Sequence, residues 1–317
     1  MNQHPSTPIV SVILPAFNRL RFLRPAVESA MTQTFTDWEL IIADDGSDPE
    51  TRQYLQSLAK QRRVRVLWLA HTGRPSMVRN AALQSAVGEY VAFLDSDDLW
   101  APRKLERQLA TLRIRTACRW SYTAFLRVDA GGIALPEERG RPWVPYEGEI
   151  FEQVVTGRAS IRTPSVLASR ELIAQAGGFD EALRSAEDYD LWMRLALHSE
   201  VAIVDEPLVY VRYHDENHTR EWQSAYLGRD RSLSRGQRFV DAGRRSLLRE
   251  ERTRNALQFA ATHARLGAPG RMLRTLWESL PFCWTYPRWW LGGLKMVLRP
   301  HLPRRLLEFL RERRRDA

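Results

Sequence analysis

The densest run of chemistry in this chain is Asp95-Ser96-Asp97-Asp98. It follows the apolar run 90–94 (YVAFL), which has the length and aromatic content of a buried strand. Three carboxylates within four residues repel one another unless a cation or hydrogen-bond donors compensate them. Hard divalent cations such as Mg²⁺ or Mn²⁺ take oxygen ligands, often one or two carboxylates completed by substrate phosphates. A helix opening at Leu99-Trp100-Ala101-Pro102, with proline in its first turn, would follow this acidic turn. Strand, acidic turn and helix together can hold a metal diphosphate; the plainer alternative is a turn whose Asp98 caps the helix. Two more acidic clusters stand out. Asp44-Asp45-Gly46-Ser47-Asp48 ends the run 38–43 (WELIIA); it is a strong turn sequence, and Asp45 can accept a hydrogen bond from a nucleobase N–H. Glu187-Asp188 opens the helix expected over 187–198, where acids also suit the helix dipole. His214 follows the strand expected over 208–213, and an imidazole suits Mn²⁺ better than Mg²⁺.

The elements that must position these groups follow from hydrophobic spacing. Strands are expected over 9–14, 38–43, 64–69 and 90–94, and helices over 19–33, 49–60 and, past Pro75, to about position 87. Alternation of this kind predicts an α/β fold, a mostly parallel sheet with helices on both faces. Each strand ends in residues able to meet a ligand: Pro15-Ala16-Phe17-Asn18, Asp44-Asp45, His71-Thr72-Gly73-Arg74 and Asp95 to Asp98. Right-handed crossovers gather those ends on one edge, where open sheets bind ligands. Phe17 suits either a nucleotide pocket or the core, and Asp44 either the ligand or the turn alone.

The segments SVILPAFNR, IIADDGSD, GRPSMVRNAAL, GEYVAFLDSDDLWAPRKLERQL, GGFDE, SAEDYDLWMRL and LVYVRYH resemble, in order, the family 2 glycosyltransferases of GT-A fold, over residues 9–217. The resemblance implies an inverting, metal-dependent transfer from a nucleotide-sugar to an acceptor hydroxyl. It places Pro15, Phe17, Asn18, Asp44, Asp45 and Arg79 around the nucleotide, and Asp95 near the ribose. Asp97 and His214 would meet a Mn²⁺ or Mg²⁺ ion, Asp188 would be the general base, and Glu187 would orient the acceptor or its loop. Sugar nucleotidyltransferase is the alternative within enzymes, but the turn after the first strand lacks the glycine-rich phosphate loop. A non-catalytic nucleotide-sugar-binding or membrane scaffold protein is the alternative outside them.

Composition describes a folded globular chain of 317 residues, 44% hydrophobic and 27% charged. Cys118 and Cys283 form no metal-ligating pattern and fit a reducing compartment. The start, MNQHPSTPIVSVILP, lacks the pattern of a secretory signal, so a cytoplasmic location is expected, peripheral at the inner face of the membrane. The net charge is +9, and positions 271–317 alone hold eleven Lys/Arg against four Asp/Glu. No nucleic-acid-binding signature accompanies that charge. A catalytic domain over 1–222 and a basic, Trp-rich helical region over 223–317 are expected. Pro287, Arg288 and Lys295 interrupt the apolar stretch, arguing against a membrane span. Aromatic and arginine residues there, with an amphipathic run over 302–315, suit either a helical cap or a helix lying on an anionic membrane near a lipid-linked acceptor.

Overall fold

The computed structural model describes residues 7–136, 143–214 and 222–298. The amphipathic run over 302–315, the first six residues and residues 137–142 lie outside the described residues. The chain divides into two compact units, Met1–Glu221 and Trp222–Ala317.

The first unit begins with β1 (Val10–Ala16), α1 (Leu20–Met31), β2 (Trp38–Asp44), α2 (Pro49–Leu58), β3 (Val64–Trp68), α3 (Pro75–Ser85) and β4 (Tyr90–Phe93). β5 (Leu99–Trp100), α4 (Lys104–Ile114), β6 (Cys118–Asp129), α5 (Phe151–Val155), β7 (Leu167–Ser169), α6 (Arg170–Ala176), α7 (Glu187–His198) and β8 (Glu200–Tyr213) complete it. One eight-stranded sheet runs β3-β2-β1-β4-β7-β6-β8-β5. β1, β2, β3 and β4 are mutually parallel, and β6 pairs parallel with β8, while β7 and β5 join antiparallel. The fold is the expected GT-A type, a mostly parallel α/β sheet followed by helices.

β1 and β2 are buried on both faces, as continuous aliphatic runs in a parallel sheet must be. β1 lies between β2 and β4, so the chain order reverses there and leaves a crevice beyond the carboxyl ends of these strands. Pro15 does not break β1, contrary to its reading as a strand stop. Ile13 accepts from Leu94 N on the β4 side and Ala16 accepts from Asp45 N on the β2 side. Alternation points Pro15 toward β4, whose pairing has already ended at Ile13–Phe93, so the missing N–H leaves no gap. The chain instead turns at Asn18 and Arg19, both left-handed with φ of 53° and 55°.

Two expectations near the acidic turn are overturned. Leu99 and Trp100 form a short strand opposite Tyr210 and Val209, and the helix starts only at Lys104. Trp100 is buried and its indole N–H donates to the Pro164 carbonyl, which holds this segment extended. Asp98 therefore caps no helix; its carboxylate accepts from the Arg212 backbone N–H at 2.8 Å. The closing strand is also longer than expected, starting at Glu200 rather than near position 208.

The second unit, by itself, is helical over its described residues: α8 (Trp222–Gly236), α9 (Ala242–Arg265), α10 (Pro269–Cys283) and α11 (Pro287–Leu298). Proline opens α10 and α11, where a missing N–H costs nothing. The core between α9, α10 and α11 is small: Ala256, Ala260, Met272, Leu276, Cys283 and Trp289. No helix among the described residues is long and apolar enough to cross a membrane.

Candidate active site

The site grows from the ends of β1, β2, β4 and β8, the first turns of α3 and the start of α7. Asp44 is fully buried, and Ser47 N donates to its carboxylate at 3.2 Å. It shapes the turn, the second of its two expected roles. Asp45 fastens the loop after β3: Thr72 N and Thr72 Oγ1 donate to Oδ1 at 2.8 and 3.0 Å, and Gly73 N to Oδ2 at 2.9 Å. The same loop carries His71, whose ring stacks on Phe17 with centroids 4.3 Å apart. Phe17 is 39% exposed, so it belongs to the crevice and not to the core. Asn18 ties this corner together, its N–H donating to Ser47 Oγ and its side-chain oxygen accepting from Asp48 N. Pro15 lies in β1 beside Ala43, one strand from the same corner.

Arg79 is the hinge of the charge arrangement. It is buried on α3, donating to Asp95 Oδ1 and to Glu187 Oε1, each at 2.7 Å. Burial works against its charge, but Asp95 and Glu187, with Asp188 beyond them, outweigh burial and hold the guanidinium more firmly protonated than a free arginine. One residue thus joins the turn after β4 to the first turn of α7, positions more than ninety residues apart in the chain. Burial lifts the Glu187 carboxyl above the usual carboxylate range, with Asp188 adding to the rise and Arg79 opposing it. Asp188 is itself held: Thr163 Oγ1 donates to Oδ2 at 3.2 Å and Tyr189 N to Oδ1 at 2.7 Å. The residue before the pair, Ala186, adopts a left-handed φ of 60° and turns the chain sharply into α7.

Asp97 faces the other way along the turn. His214 Nε2 lies 3.1 Å from its Oδ2 and Arg19 Nη1 lies 3.5 Å from the same oxygen. The His214 ring stacks on Phe22 of α1 at 4.4 Å, which fixes its direction. Burial first, and Asp95 second, raise the Asp97 carboxyl, while His214 and Arg19 pull it down. Asp98, deeper still, is pushed well up by burial and by its two acidic neighbours. The structure therefore brings Arg79, Asp95, Glu187 and Asp188 into one group and Asp97, His214 and Arg19 into a second, with Asp95 and Asp97 two residues apart.

Arg19 and Thr163 were not singled out from the sequence. Arg19 had a signal, since it directly follows Asn18 at a strand end. Thr163 has none, being one of two hydroxyls in the short segment Arg162-Thr163-Pro164-Ser165. Among the described residues no group of three His, Cys, Asp or Glu side chains is arranged as a metal cluster.

Set against known proteins, residues 11–124 match the family model described as glycosyl transferase family 2. An uncharacterized glycosyltransferase of Rickettsia felis is 32% identical over 203 residues, 64% of this chain and 33% of that protein. Escherichia coli WfgD, a UDP-Glc:α-D-GlcNAc-diphosphoundecaprenol β-1,3-glucosyltransferase, is 25% identical over 205 residues, 65% of this chain and 76% of WfgD. The structure of S. aureus TarS 1-349 in complex with UDP-GlcNAc superposes with a TM-score of 0.58 at 17% identity, covering 88% of this chain and 93% of that one. Residues 11–124 of the chain form a glycosyl transferase family 2 region. It spans about a third of the length of the Rickettsia relative.

Proposed function

We propose that this chain is an inverting, divalent-cation-dependent glycosyltransferase. It moves a sugar from a nucleotide-sugar, most simply a UDP-sugar, to an acceptor hydroxyl in cell-surface polysaccharide or glycolipid assembly. The observation that supports this reading is the Arg79 bridge, which joins Asp95, after the strand β4, to Glu187, the chain neighbour of Asp188. A donor needs its diphosphate neutralised and an acceptor needs its proton removed. The two groups of residues match these two tasks. The UDP-sugars in the names of WfgD and the TarS complex support a uracil nucleotide.

In this reading Pro15, Phe17 and Asn18 line the nucleotide pocket with Asp45 and the loop it holds. Phe17 and His71 offer ring surface, and Asp95 meets the ribose. Asp188 takes the proton from the acceptor hydroxyl. The acceptor oxygen then bonds to the anomeric carbon from the face opposite the diphosphate, which departs with the bonding electron pair, so configuration inverts. Glu187, held by Arg79, orients the acceptor loop.

Asp97 and His214 fit a shared cation. Their atoms lie 3.1 Å apart, close to the separation of neighbouring ligands each ~2.1 Å from one ion. A carboxylate and an imidazole suit Mn²⁺ more than Mg²⁺, and a pair of protein ligands leaves room for phosphate oxygens and water. When bound, the ion would neutralise charge on the leaving diphosphate. The nucleotidyltransferase alternative has little to stand on, because the turn Phe17-Asn18-Arg19 carries no glycine. The reading includes a cytoplasmic enzyme, peripheral at the inner face of the membrane, with a saccharide or lipid-linked acceptor.

A thermal-shift screen of UDP-, GDP- and dTDP-sugars with and without Mn²⁺ tests the donor. A UDP-sugar is expected to raise the melting temperature, and further with Mn²⁺. No shift with any nucleotide-sugar in either condition would overturn the reading.

A further inference from the structure

The described part of the second unit leaves much of its apolar surface uncovered. On α10, Met272, Leu276, Ser279 and Cys283 are buried at helical spacing. One residue later runs a second stripe, rotated by about 100°, in which Leu273 is 50%, Trp277 76% and Trp284 63% exposed. α11 repeats the construction. Trp289 and Gly293 are buried, and next to them Trp290 is 53%, Leu294 56% and Val297 37% exposed, flanked by Leu291 at 58%. The two helices lie side by side: the Trp289 indole N–H donates to Ser279 Oγ at 3.0 Å and the Trp290 indole N–H to the Trp284 carbonyl at 2.9 Å. The second contact joins the two exposed stripes at Trp284 and Trp290. An apolar surface of this kind, with three tryptophans, is rare on a protein that meets only water.

The charges beside it have one dominant sign. Between Arg271 and Leu298 the chain carries Arg271, Arg274, Arg288 and Lys295, all exposed, against the single acid Glu278. Glu278 is paired with Arg274, and Arg288 with Glu250 of α9. Exposed pairs of this type exchange readily for other anions. Over its described residues α11 is twelve residues long and does not reach the length of a membrane span. Tryptophan rings seat at the boundary between hydrocarbon and water, and arginine and lysine stems reach from that depth to phosphate headgroups.

We propose that the joined α10–α11 face is a docking surface for an anionic phospholipid bilayer, lying in its interface with Trp277, Trp284 and Trp290 as the inserted side chains. The proposal deepens the reading of a peripheral enzyme and rests on it for purpose; the surface argument stands on the helices alone.

The test is co-sedimentation of the full chain with vesicles of phosphatidylglycerol and phosphatidylcholine in equal parts, and with phosphatidylcholine alone. Binding to the anionic vesicles is expected, with a blue-shifted tryptophan emission, and weaker binding to the neutral ones. The triple variant Trp277→Ala, Trp284→Ala, Trp290→Ala should lose about tenfold or more in affinity while keeping its helical circular dichroism. No sedimentation with anionic vesicles, or equal sedimentation of the triple variant, would overturn the proposal. So would a wild-type dimer in solution that the triple variant abolishes, with no vesicle binding, because a second copy would then be the occupant. Donor hydrolysis is measured on the same samples: hydrolysis without vesicle binding removes this proposal alone, and vesicle binding without hydrolysis removes only the catalytic reading.

Discussion

The two units of this chain use charge in opposite ways. Residues 1–221 hold 26 Lys/Arg against 30 Asp/Glu, while residues 222–317 hold 21 against 8. In the first unit the deciding charges are buried and individually paired, as Arg79 is with Asp95 and Glu187. In the second the basic side chains of α10 and α11 stand exposed, beside apolar groups that are also exposed. A buried charge must have a specific partner, because an unpaired one is costly in a low-dielectric interior. An exposed one is screened and interchangeable, and acts through the sum of its neighbours. The first unit should therefore respond sharply to single changes and the second only to several at once.

The largest expected effect is Asp188→Asn, which in the proposed mechanism removes the base but keeps the side chain's shape. Transfer should fall by about 10²–10⁴-fold, with nucleotide-sugar affinity by calorimetry nearly unchanged. Equal rates in variant and wild type would break the assignment. Next is Arg79→Met, which strands two carboxylates in a buried site. A loss of about 3–5 kcal/mol in denaturant unfolding is expected, together with lost transfer. A third effect concerns acidity and cations. Asp97 has its carboxyl raised by burial and by Asp95, so in the absence of cation it favours the folded state most at low pH. That contribution is lost as pH rises through its folded value. Asp97→Asn should therefore unfold at a higher temperature than wild type near neutral pH without cation, the gap closing in acid, and Mn²⁺ should raise the melting temperature of the wild type alone. The smallest effect belongs to the second unit: Trp277→Ala should change stability by no more than about 0.5 kcal/mol, since the ring is 76% exposed. A larger loss would mean that the ring is part of a core after all.

Much of the first unit was legible because β1, β2 and β4 are continuous apolar runs ending in polar turns. Their order and the reversal at β1 place those turns together, while the link from Asp95 to Glu187 on α7 is made by the tertiary contacts of Arg79. β6 is not legible in the sequence. Its interior residues Ser121 and Thr123 are buried yet polar, satisfied by Gln108 and by the Ala124 carbonyl, and they blur any apolar pattern. Pro102 resembles a first-turn proline and so predicts a helix through Trp100; the distant carbonyl of Pro164, the Ser29 hydroxyl and the strand β8 hold it extended instead. Thr163 reaches Asp188 by a tertiary contact that local sequence cannot announce. The twin stripes on α10 and α11 follow helical spacing, but which stripe is covered depends on α9.

Ala186 has a consequence of its own. An L-residue held left-handed is strained by roughly 1–2 kcal/mol, and only the surrounding packing keeps it there. The direction in which Glu187 and Asp188 leave the backbone is thus imposed before any substrate arrives. Ala186→Gly should relax that bend, so the protein would become harder to melt and, in the proposed mechanism, slower to turn over. Such a chain would have exchanged a preset posture for ease, and the lost speed would measure what the awkward bend contributes.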